Sequence, residues 1–244
     1  MGLGDWIMAT SQVRELNERT GKRVVVVDRL NRPKWSEAFD NNPRIARTHE
    51  NDTERLLNAG GARPYIRSKT VEQWQWRKWG IKPGELWLSP EERDFGRPYD
   101  GRFVIEPTTK DPTSNKAWIA DRWQELVDRF PAGTFVQMGA DPVRRLRGAT
   151  FVRTTVRQAF GVLAAARGFV GTEGALHHAA AALKTPAVVL WSEFISPTFT
   201  GYPEQTNIRH AHGVCGRRVP CPTCRESMEV ITVDEVEQAV RRLM

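Results

Sequence analysis

The sequence predicts an α/β protein in which parallel strands alternate with helices, organised as two Rossmann-like halves. The segment Lys22–Asp28 contains four consecutive valines, which is typical of a strand buried on both faces. A second alternating set of strand-like and helix-like segments begins at Arg102, after the turn-forming residues Tyr99–Gly101. We therefore expect an N-terminal domain of residues 1–100 and a C-terminal domain of residues 101–244.

The first half begins with a helix and not with a strand. A helix is predicted over Trp6–Arg19, ended by Gly21, and it leads into the valine-rich strand. The glycines Gly2 and Gly4 stand before any strand. Because a Rossmann-like half normally opens with a strand, we expect a reduced N-terminal half that lacks its first strand. The stretch Asn31–Asp100, rich in Pro, Arg and Trp, has no regular pattern.

The second half has a clearer alternation of elements. Its apolar runs and turn residues predict a strand at Arg102–Glu106, a helix at Trp118–Phe130, strands at Thr134–Gln137 and Thr150–Arg153, a helix at Val156–Ala166, a strand at Gly168–Gly171, a helix at Gly174–Leu183 and a strand at Pro186–Trp191. A last helix begins at Thr232, an N-cap with Glu235 three residues later.

The composition indicates a soluble protein with anionic partners. Its 36 Lys and Arg residues against 29 Asp and Glu residues give a net charge of +7, which favours nucleotides, phosphorylated saccharides, anionic membrane surfaces or nucleic acid. No apolar run approaches the roughly 20 residues of a membrane-spanning helix, and the N-terminus does not resemble a signal peptide. We therefore expect a cytoplasmic location.

The first candidate site is Gly2-Leu3-Gly4-Asp5 at the start of a helix. Glycines allow a close backbone approach, and the helix dipole stabilises an acid at this position. Asp5 is then expected at the mouth of a sheet, where open α/β folds bind ligands. The alternative is an ordinary capping aspartate, and the glycine pattern alone does not distinguish the two.

The second candidate site is the segment 107–118, which follows one strand and precedes a helix. Thr108, Thr109, Lys110 and Lys116 offer hydroxyls and ammonium groups that suit a phosphate, and the amides of the helix N-terminus add a positive field. A solvated turn is the alternative interpretation.

The third candidate site is Gly171–Leu183, where a strand ends in a small-residue turn before an alanine-rich helix. Thr172, Glu173 and His177 surround the helix start, which suits an anionic diphosphate. His177 and His178 are about 100° apart on a helix, so we expect only one of them to face the site. A buried or surface histidine without a ligand is the alternative.

Two further groups of residues remain open. The segment Trp74-Gln75-Trp76-Arg77 combines aromatic rings with cations, which suits stacking on bases or sugars. A small core with a cationic rim is the alternative, and the spacing of Trp74 and Trp76 favours a strand or loop. Cys215, Cys221 and Cys224, with His212, could hold a structural zinc ion, but they lack the paired spacing of a zinc motif. The sequence therefore predicts no metal among the site residues and leaves zinc open.

Three of these segments, in this order, resemble the heptosyltransferase-type glycosyltransferases of family 9, which have the GT-B architecture. The residues that match are Gly2–Asp5, Thr108, Thr109, Lys116, Trp118, the run 123–126, Gly174, His177, Ala180–Leu183 and the cysteine-containing tail around Cys221 and Cys224. The resemblance implies two Rossmann-like lobes that face each other across a cleft. Thr172 stands where the family usually has aspartate, and Glu173 where it has a small hydroxyl residue. The chain is also shorter than typical members, mostly in its acceptor-side half.

The resemblance also implies roles for these residues. Asp5 would be the general base and Lys116 would offset charge on the departing diphosphate. The residues expected to bind the donor are Thr108, Thr109, Lys116, Thr172, Glu173, Gly174, Ala175, Leu176 and His177. The resemblance does not extend to the stretch Asn31–Asp100, so the residue types alone place Trp74, Trp76 and Arg77, with Gly4, on the acceptor side. The reaction would invert the anomeric carbon of an ADP-heptose-like nucleotide sugar without a cofactor or an essential metal.

The sequence is compatible with more than one acceptor and with more than one activity. The acceptor hydroxyl could belong to a saccharide such as lipopolysaccharide core, or to a hydroxylated base in viral DNA, which the positive charge also favours. A catalytically inactive module that binds a nucleotide sugar is a third interpretation. A nicotinamide-dependent dehydrogenase is disfavoured, because no strand precedes the glycines and Ile7 stands where its fingerprint has a third glycine.

Overall fold

The structure, a computed structural model, describes residues 2–58, 63–109, 115–139 and 145–244. The first hundred residues form α1 (Leu3–Thr20), β1 (Val24–Val27), β2 (Glu54–Leu57), β3 (Ile66–Lys69), β4 (Trp74–Trp76) and α2 (Pro90–Gly96). The remainder forms β5 (Phe103–Glu106), α3 (Ala120–Asp128), β6 (Phe135–Gly139), β7 (Thr150–Arg153), α4 (Val156–Ala165), β8 (Gly168–Thr172), α5 (Ala175–Leu183), β9 (Ala187–Leu190), α6 (Pro197–Thr200), β10 (Thr206–Ile208), α7 (Pro222–Val230) and α8 (Val233–Arg241). Two 3₁₀ turns lie between β1 and β2 (Glu37–Phe39) and between α2 and β5 (Arg97–Tyr99).

A six-stranded sheet, wholly parallel, carries the second half of the chain, in the order β10-β9-β8-β5-β6-β7. The sequence-based prediction of an α/β fold with a parallel sheet is therefore confirmed. Successive residues of β5 point to opposite faces. Phe103 and Ile105 pack with α3 and α8 in one hydrophobic cluster, whereas Val104 packs with α4 and α5 in the other. Burial on both faces is the reason that these strands are apolar without alternation.

The strand order places a switch point between β5 and β8. From β5 the chain proceeds outward through β6 and β7, and from β8 it proceeds outward in the other direction through β9 and β10. The segments that follow β5 and β8 therefore leave the same edge of the sheet on either side of a crevice. Open parallel sheets bind their ligands in that crevice, beyond the carboxyl ends of the strands.

The first half has a much smaller sheet. β1 and β2 form a two-stranded parallel pair, and β3 and β4 form an antiparallel hairpin. Ile7 and Val13 of α1 belong to the same hydrophobic cluster as Ala179 and Ala180 of α5. The core of the first half is thus continuous with one face of the large sheet. The division into domains at residues 100 and 101 stays a prediction.

The end of α1 and the start of α8 match the signals in the sequence. Gly21 adopts the left-handed conformation with φ of 72° and its N–H donates to the Asn17 carbonyl, as a glycine C-cap does. The Thr232 side chain accepts a hydrogen bond from the Glu235 N–H at 3.2 Å. Both ends are therefore determined by local backbone chemistry that the sequence displays.

Candidate active site

Asp5 is held at the third position of α1 by three donors. Its Oδ2 accepts from the Gly2 N–H at 3.0 Å and pairs with Arg63 Nη2 at 3.0 Å. Its Oδ1 accepts from the Tyr65 hydroxyl at 2.5 Å. The side chains of Asp5 and Arg63 are 9% and 10% exposed, so this ion pair is largely removed from water. These contacts fix the carboxylate in one orientation.

Tyr65 remains a hydrogen-bond donor to this carboxylate. Burial, together with the Asp5 charge, raises the pKa of the Tyr65 phenol far above its usual range. The phenol therefore stays protonated at physiological pH and donates to Asp5.

A stack of aromatic rings leads from Asp5 toward Lys116. The Tyr65 ring stacks on Trp76 at 5.9 Å between centroids and 17° between planes, and Trp76 meets Phe194 edge-on at 5.4 Å. Lys116 Nζ lies 5.1 Å from the centroid of the Phe194 ring. Phe194, the residue after Glu193 in the segment that follows β9, thus contacts both the hairpin and the lysine.

A second path joins the same two groups through α5. A side chain at Gly4 would place its Cβ 2.8 Å from the His178 ring, so glycine allows α1 to approach α5 this closely. His178 Nε2 lies 4.0 Å from Glu173 Oε1, and Glu173 Oε2 forms an ion pair with Lys116. Two chains of contacts therefore connect Asp5 with Lys116.

The Lys116–Glu173 pair lies at the switch point of the sheet. Glu173 follows β8 directly and Lys116 belongs to the segment after β5. Burial alone would raise the pKa of Glu173, but the Lys116 ammonium more than offsets this and holds the pKa below its usual range. The carboxylate is therefore ionised, and it neutralises the lysine expected to bind phosphate.

The start of α5 is held by the two histidines. His177 Nδ1 accepts from the Gly174 N–H at 3.0 Å, so its Nε2 carries the proton and donates to the Thr200 carbonyl at 3.1 Å. Burial lowers the pKa of His177, which is consistent with this neutral tautomer. His178 Nδ1 is 2.9 Å from the Tyr202 hydroxyl. Both imidazoles thus serve to shape the turn.

The two histidine rings lie closer together than the spacing of their positions on a helix predicts, and which of them faces a ligand stays a prediction. His177 and His178 are both buried, and their ring centroids are 3.8 Å apart. Adjacent Cα–Cβ bonds diverge by about 100° on a helix, but the side chains rotate so that the rings meet. The His177 ring then bonds to Thr200, the last residue of α6, and the His178 ring to Tyr202, which lies between α6 and β10.

The remaining predicted donor residues differ in their positions. Thr172 is the last residue of β8 and is buried, whereas Ala175 and Leu176 are half-buried in the first turn of α5. Thr108 is exposed and Thr109 half-buried beyond the end of β5. Lys110 lies outside the described residues.

Of the four residues predicted on the acceptor side, Gly4 lies in α1, and Trp74, Trp76 and Arg77 lie in the hairpin strand β4 or just after it. Trp76 belongs to the aromatic stack, and Trp74 is surrounded by cations, with Lys69 Nζ at 4.7 Å from its ring centroid and the guanidinium carbons of Arg63 and Arg218 at 5.8 Å. Arg77 is exposed, and its Nε donates to the Pro64 carbonyl at 2.5 Å. It supports the backbone next to Arg63.

Cavities flank this region. A small crevice of about 10 Å³ beside Asp5 is lined by Met8, Asn58, Arg63 and Trp79 among others. A larger cavity of about 760 Å³ lies along the segments 115–121 and 220–225. It borders the neighbours of Lys116 and does not include Glu173 or His177 in its lining, so we do not assign it to the donor.

Glu106, at the end of β5, was not among the predicted site residues although strand ends at a switch point are where such residues occur. Burial, with the Glu173 charge added, raises the pKa of the Glu106 carboxyl to about 8. Its Oε2 would lie 4.0 Å from a Cβ on Gly174. Near neutral pH the Glu106 carboxyl is therefore largely protonated and neutral, whereas the Glu173 carboxylate is ionised.

We expect this neutral acid to make stability depend on pH. Between about pH 5 and 8 the unfolded chain has released the Glu106 proton and the folded chain has kept it, so the free energy of unfolding falls as pH rises. The slope is at most about 1.4 kcal/mol per pH unit and is smaller here because the residue is partly exposed. Urea unfolding at about pH 5.5 and 7.5 measures this slope, which Glu106→Gln should flatten and the exposed control Glu226→Gln should not. Equal slopes in all three proteins would contradict the raised pKa.

Sequence comparisons give no relative for this chain. No model of a known protein family matches it, and no curated protein matches it. Solved structures do match. The family 9 glycosyltransferase from Veillonella parvula matches with a TM-score of 0.66 and 13% identity, over 100% of this chain and 94% of that chain. The fold is therefore that of a family 9 glycosyltransferase structure.

Two Escherichia coli proteins also match. The iron-containing dodecameric glycosyltransferase TibC matches with a TM-score of 0.63 and 15% identity, over 100% of this chain and 73% of that chain. TibC in complex with ADP-D-beta-D-heptose matches with a TM-score of 0.56 and 11% identity, over 91% of this chain and 76% of that chain. ADP-heptose LPS heptosyltransferase II matches at a TM-score of 0.49 and 20% identity, over 65% of this chain and about half (53%) of that chain. The last similarity is too low to support a fold assignment.

Proposed function

We propose that this protein is an inverting glycosyltransferase that transfers a sugar from a nucleoside diphosphate to an acceptor hydroxyl. The observation that supports the proposal is that side-chain contacts connect Asp5 with Lys116, both through the aromatic stack and through α5. The Asp5 carboxylate is suited to accept a proton from the acceptor hydroxyl. The Lys116 ammonium is suited to neutralise the charge of the leaving diphosphate. The fold shared with family 9 structures supports the same reaction class.

In the proposed reaction the acceptor oxygen forms a bond to the anomeric carbon while the bond from that carbon to the diphosphate breaks. The electron pair of the broken bond leaves with the diphosphate, and the acceptor proton passes to the Asp5 carboxylate. Attack from the side opposite the leaving group inverts the configuration. Arg63 and Tyr65 hold the carboxylate in one orientation, which favours the productive geometry.

Charge on the departing diphosphate would be offset by Lys116 and by the first-turn amides of α5. Thr108 and Thr109 would add hydroxyl donors from the segment after β5. Glu173 holds Lys116 before the donor arrives, so the diphosphate must share the ammonium or displace the carboxylate. We propose an ADP-heptose-like donor, since TibC, whose fold is similar, binds ADP-D-beta-D-heptose.

A donor screen tests the proposal. The protein is heated with ADP-, UDP-, GDP- and dTDP-linked sugars, and with the matching nucleoside monophosphates as controls that lack the diphosphate. A donor at 100 times its dissociation constant should stabilise the fold by about 2.7 kcal/mol, with one nucleobase preferred. If no diphosphate sugar raises the melting temperature more than its monophosphate does, the proposed donor site is wrong.

A nucleic-acid acceptor is the second candidate, and the surroundings of Trp74 favour it. Three cations lie around this one ring, an arrangement suited to stacking on a base while neutralising phosphates. Duplex DNA with hydroxymethylated bases should then bind with an affinity that falls steeply with salt. For each phosphate neutralised, the logarithm of the association constant should fall by about 0.9 for every tenfold rise in salt concentration. Salt-independent binding, or none, leaves the saccharide acceptor as the proposal.

The cytoplasmic location remains a proposal. Within the described part of the chain, every helix is too short or too polar to cross a bilayer.

A further inference from the structure

Glu106 ends the central strand β5 and faces the start of α5. It pairs in register with Gly171 of β8, so its backbone lies at the switch point of the sheet. Side chains alternate along a strand, so Glu106 points to the same face as Val104, which packs with α4 and α5. Its Oε2 would lie 4.0 Å from a Cβ on Gly174, the N-cap of α5. The carboxyl therefore lies beside the first turn of α5, where the proposed diphosphate binds.

The Glu106 carboxyl has no counter-ion. Of the residues that the structure describes, none forms an ion pair with it, and the charge that acts on it is the negative charge of Glu173. Lys116, the lysine of this region, is paired with Glu173. Glu106 is therefore largely protonated near neutral pH. A protonated carboxyl has an O–H group, which can donate a hydrogen bond.

We propose that the Glu106 carboxyl donates a hydrogen bond to the leaving diphosphate and is a second catalytic residue on the donor side, beside Lys116. The inference rests on the proposed function. A carboxylic acid kept neutral by its surroundings can donate where negative charge develops, and the diphosphate gains charge as its bond to the anomeric carbon breaks. Glu106 keeps its proton throughout, and the acceptor proton still passes to Asp5.

The acid and the histidines around Glu106 keep one charge state between about pH 7 and 9. Glu173, after β8, is ionised because the Lys116 ammonium lowers its pKa. His177 and His178 of α5 are neutral because burial lowers the pKa of each. Glu106 is the carboxyl that changes charge in this range. Its ionisation replaces a hydrogen-bond donor by a second carboxylate, which repels the diphosphate.

The pH dependence of sugar transfer tests this role, with the nucleotide sugar preferred in the donor screen. Glu106→Leu removes the hydrogen-bond donor at similar size and should lower kcat/KM about 10²–10³-fold at neutral pH. Glu106→Gln keeps an N–H donor that does not titrate, so it should lose only about tenfold. In the wild type, kcat/KM should fall as pH rises through the Glu106 pKa of about 8. Glu106→Gln should show no such fall, and above about pH 9 it should be faster than wild type.

The matched control for the pH profile is Glu226→Gln, which changes an exposed acid and should keep the wild-type fall. A role of Glu106 in packing alone would lower the rate equally at every pH. Parallel pH profiles in the wild type and Glu106→Gln would therefore overturn the proposal. Wild-type transfer in Glu106→Leu would overturn it as well.

Binding of ADP, the leaving group of the proposed donor, separates this inference from the proposed function. Titration calorimetry in two buffers with different heats of ionisation gives the number of protons taken up on binding. At about pH 8.5 the wild type should take up about half a proton or more per chain, because Glu106 is partly ionised when free and protonated when ADP is bound. Glu106→Gln should lose this uptake.

The two proposals fail in different ways in this titration. If ADP binds to both proteins with equal proton uptake, Glu106 does not donate to the diphosphate, and the proposed function still stands. If ADP, UDP, GDP and dTDP all fail to bind at every pH, the donor site itself is wrong, and the role of Glu106 fails with it.

Discussion

Replacing Asp5 by asparagine is expected to lower the turnover number for sugar transfer by about 10²–10⁴-fold, with the donor dissociation constant little changed. Asparagine keeps the shape of the side chain but does not accept the acceptor proton. The residues expected to bind the nucleotide-sugar donor, by contrast, come from the segments after β5 and β8. Transfer is measured at saturating donor and acceptor, and donor affinity by titration. A fall in kcat without a change in donor affinity identifies a base and not a binding residue.

The control for this variant is Asp100→Asn, an exposed aspartate at the turn before β5. It should leave transfer, donor affinity and melting temperature unchanged. Asp5→Asn also leaves the buried Arg63 guanidinium without its counter-charge, so some loss of stability is expected. The retained donor affinity shows that the measured chain is folded. Wild-type turnover in Asp5→Asn would contradict the proposed base and favour a module that only binds a nucleotide sugar.

Most of the parallel sheet could be predicted from sequence because burial on both faces makes its strands continuous apolar runs. β5, β7, β8 and β9 were each predicted to within one or two residues. The alternation of these runs with helices then determines the fold class. The structure adds the strand order, and with it the switch point, which depends on pairings between distant segments that no local pattern displays.

The elements that the sequence did not predict are short or depend on tertiary contacts. α2 has a complete capping signal, with Ser89 accepting from the Glu92 N–H and proline at its first position, but it is a single short helix inside an irregular stretch. α7 likewise begins at Pro222, which usually indicates a break. β4 is stabilised from outside, since the Trp74 N–H donates to Gly216, far along the chain.

The candidate site was predicted where a motif is local and was missed where it is not. Asp5, Lys116, Glu173 and His177 stand in short segments whose residue types suggest their chemistry. Tyr65 and Phe194 come from segments distant in sequence and become part of the site only through ring contacts. Arg63 was not among the predicted site residues, because its pairing with Asp5 is set by the fold.

The Lys116–Glu173 pair allows the structural and catalytic roles of its two residues to be separated. Lys116→Met leaves a buried carboxylate without a partner, next to Glu106. Breaking such a pair costs about 3–5 kcal/mol, and the lower end applies because Lys116 is 28% exposed. Adding Glu173→Gln removes the unpaired charge, so Lys116→Met/Glu173→Gln should regain most of the lost stability. Urea unfolding of the four proteins in this cycle gives the coupling energy.

The rate of sugar transfer should depend on Lys116 and not on Glu173. Both proteins with Lys116→Met should transfer sugar about 10²–10³-fold more slowly than wild type, because a preorganised cation on the leaving diphosphate is lost. Glu173→Gln alone should keep its turnover and bind the donor more tightly, since the ammonium no longer has to leave a carboxylate. Lys82→Ala is the matched control, a lysine 61% exposed in a surface pair with Glu15. If the double variant recovered both stability and transfer, the lysine would serve only to neutralise Glu173, and the leaving group would depend on the amides of α5.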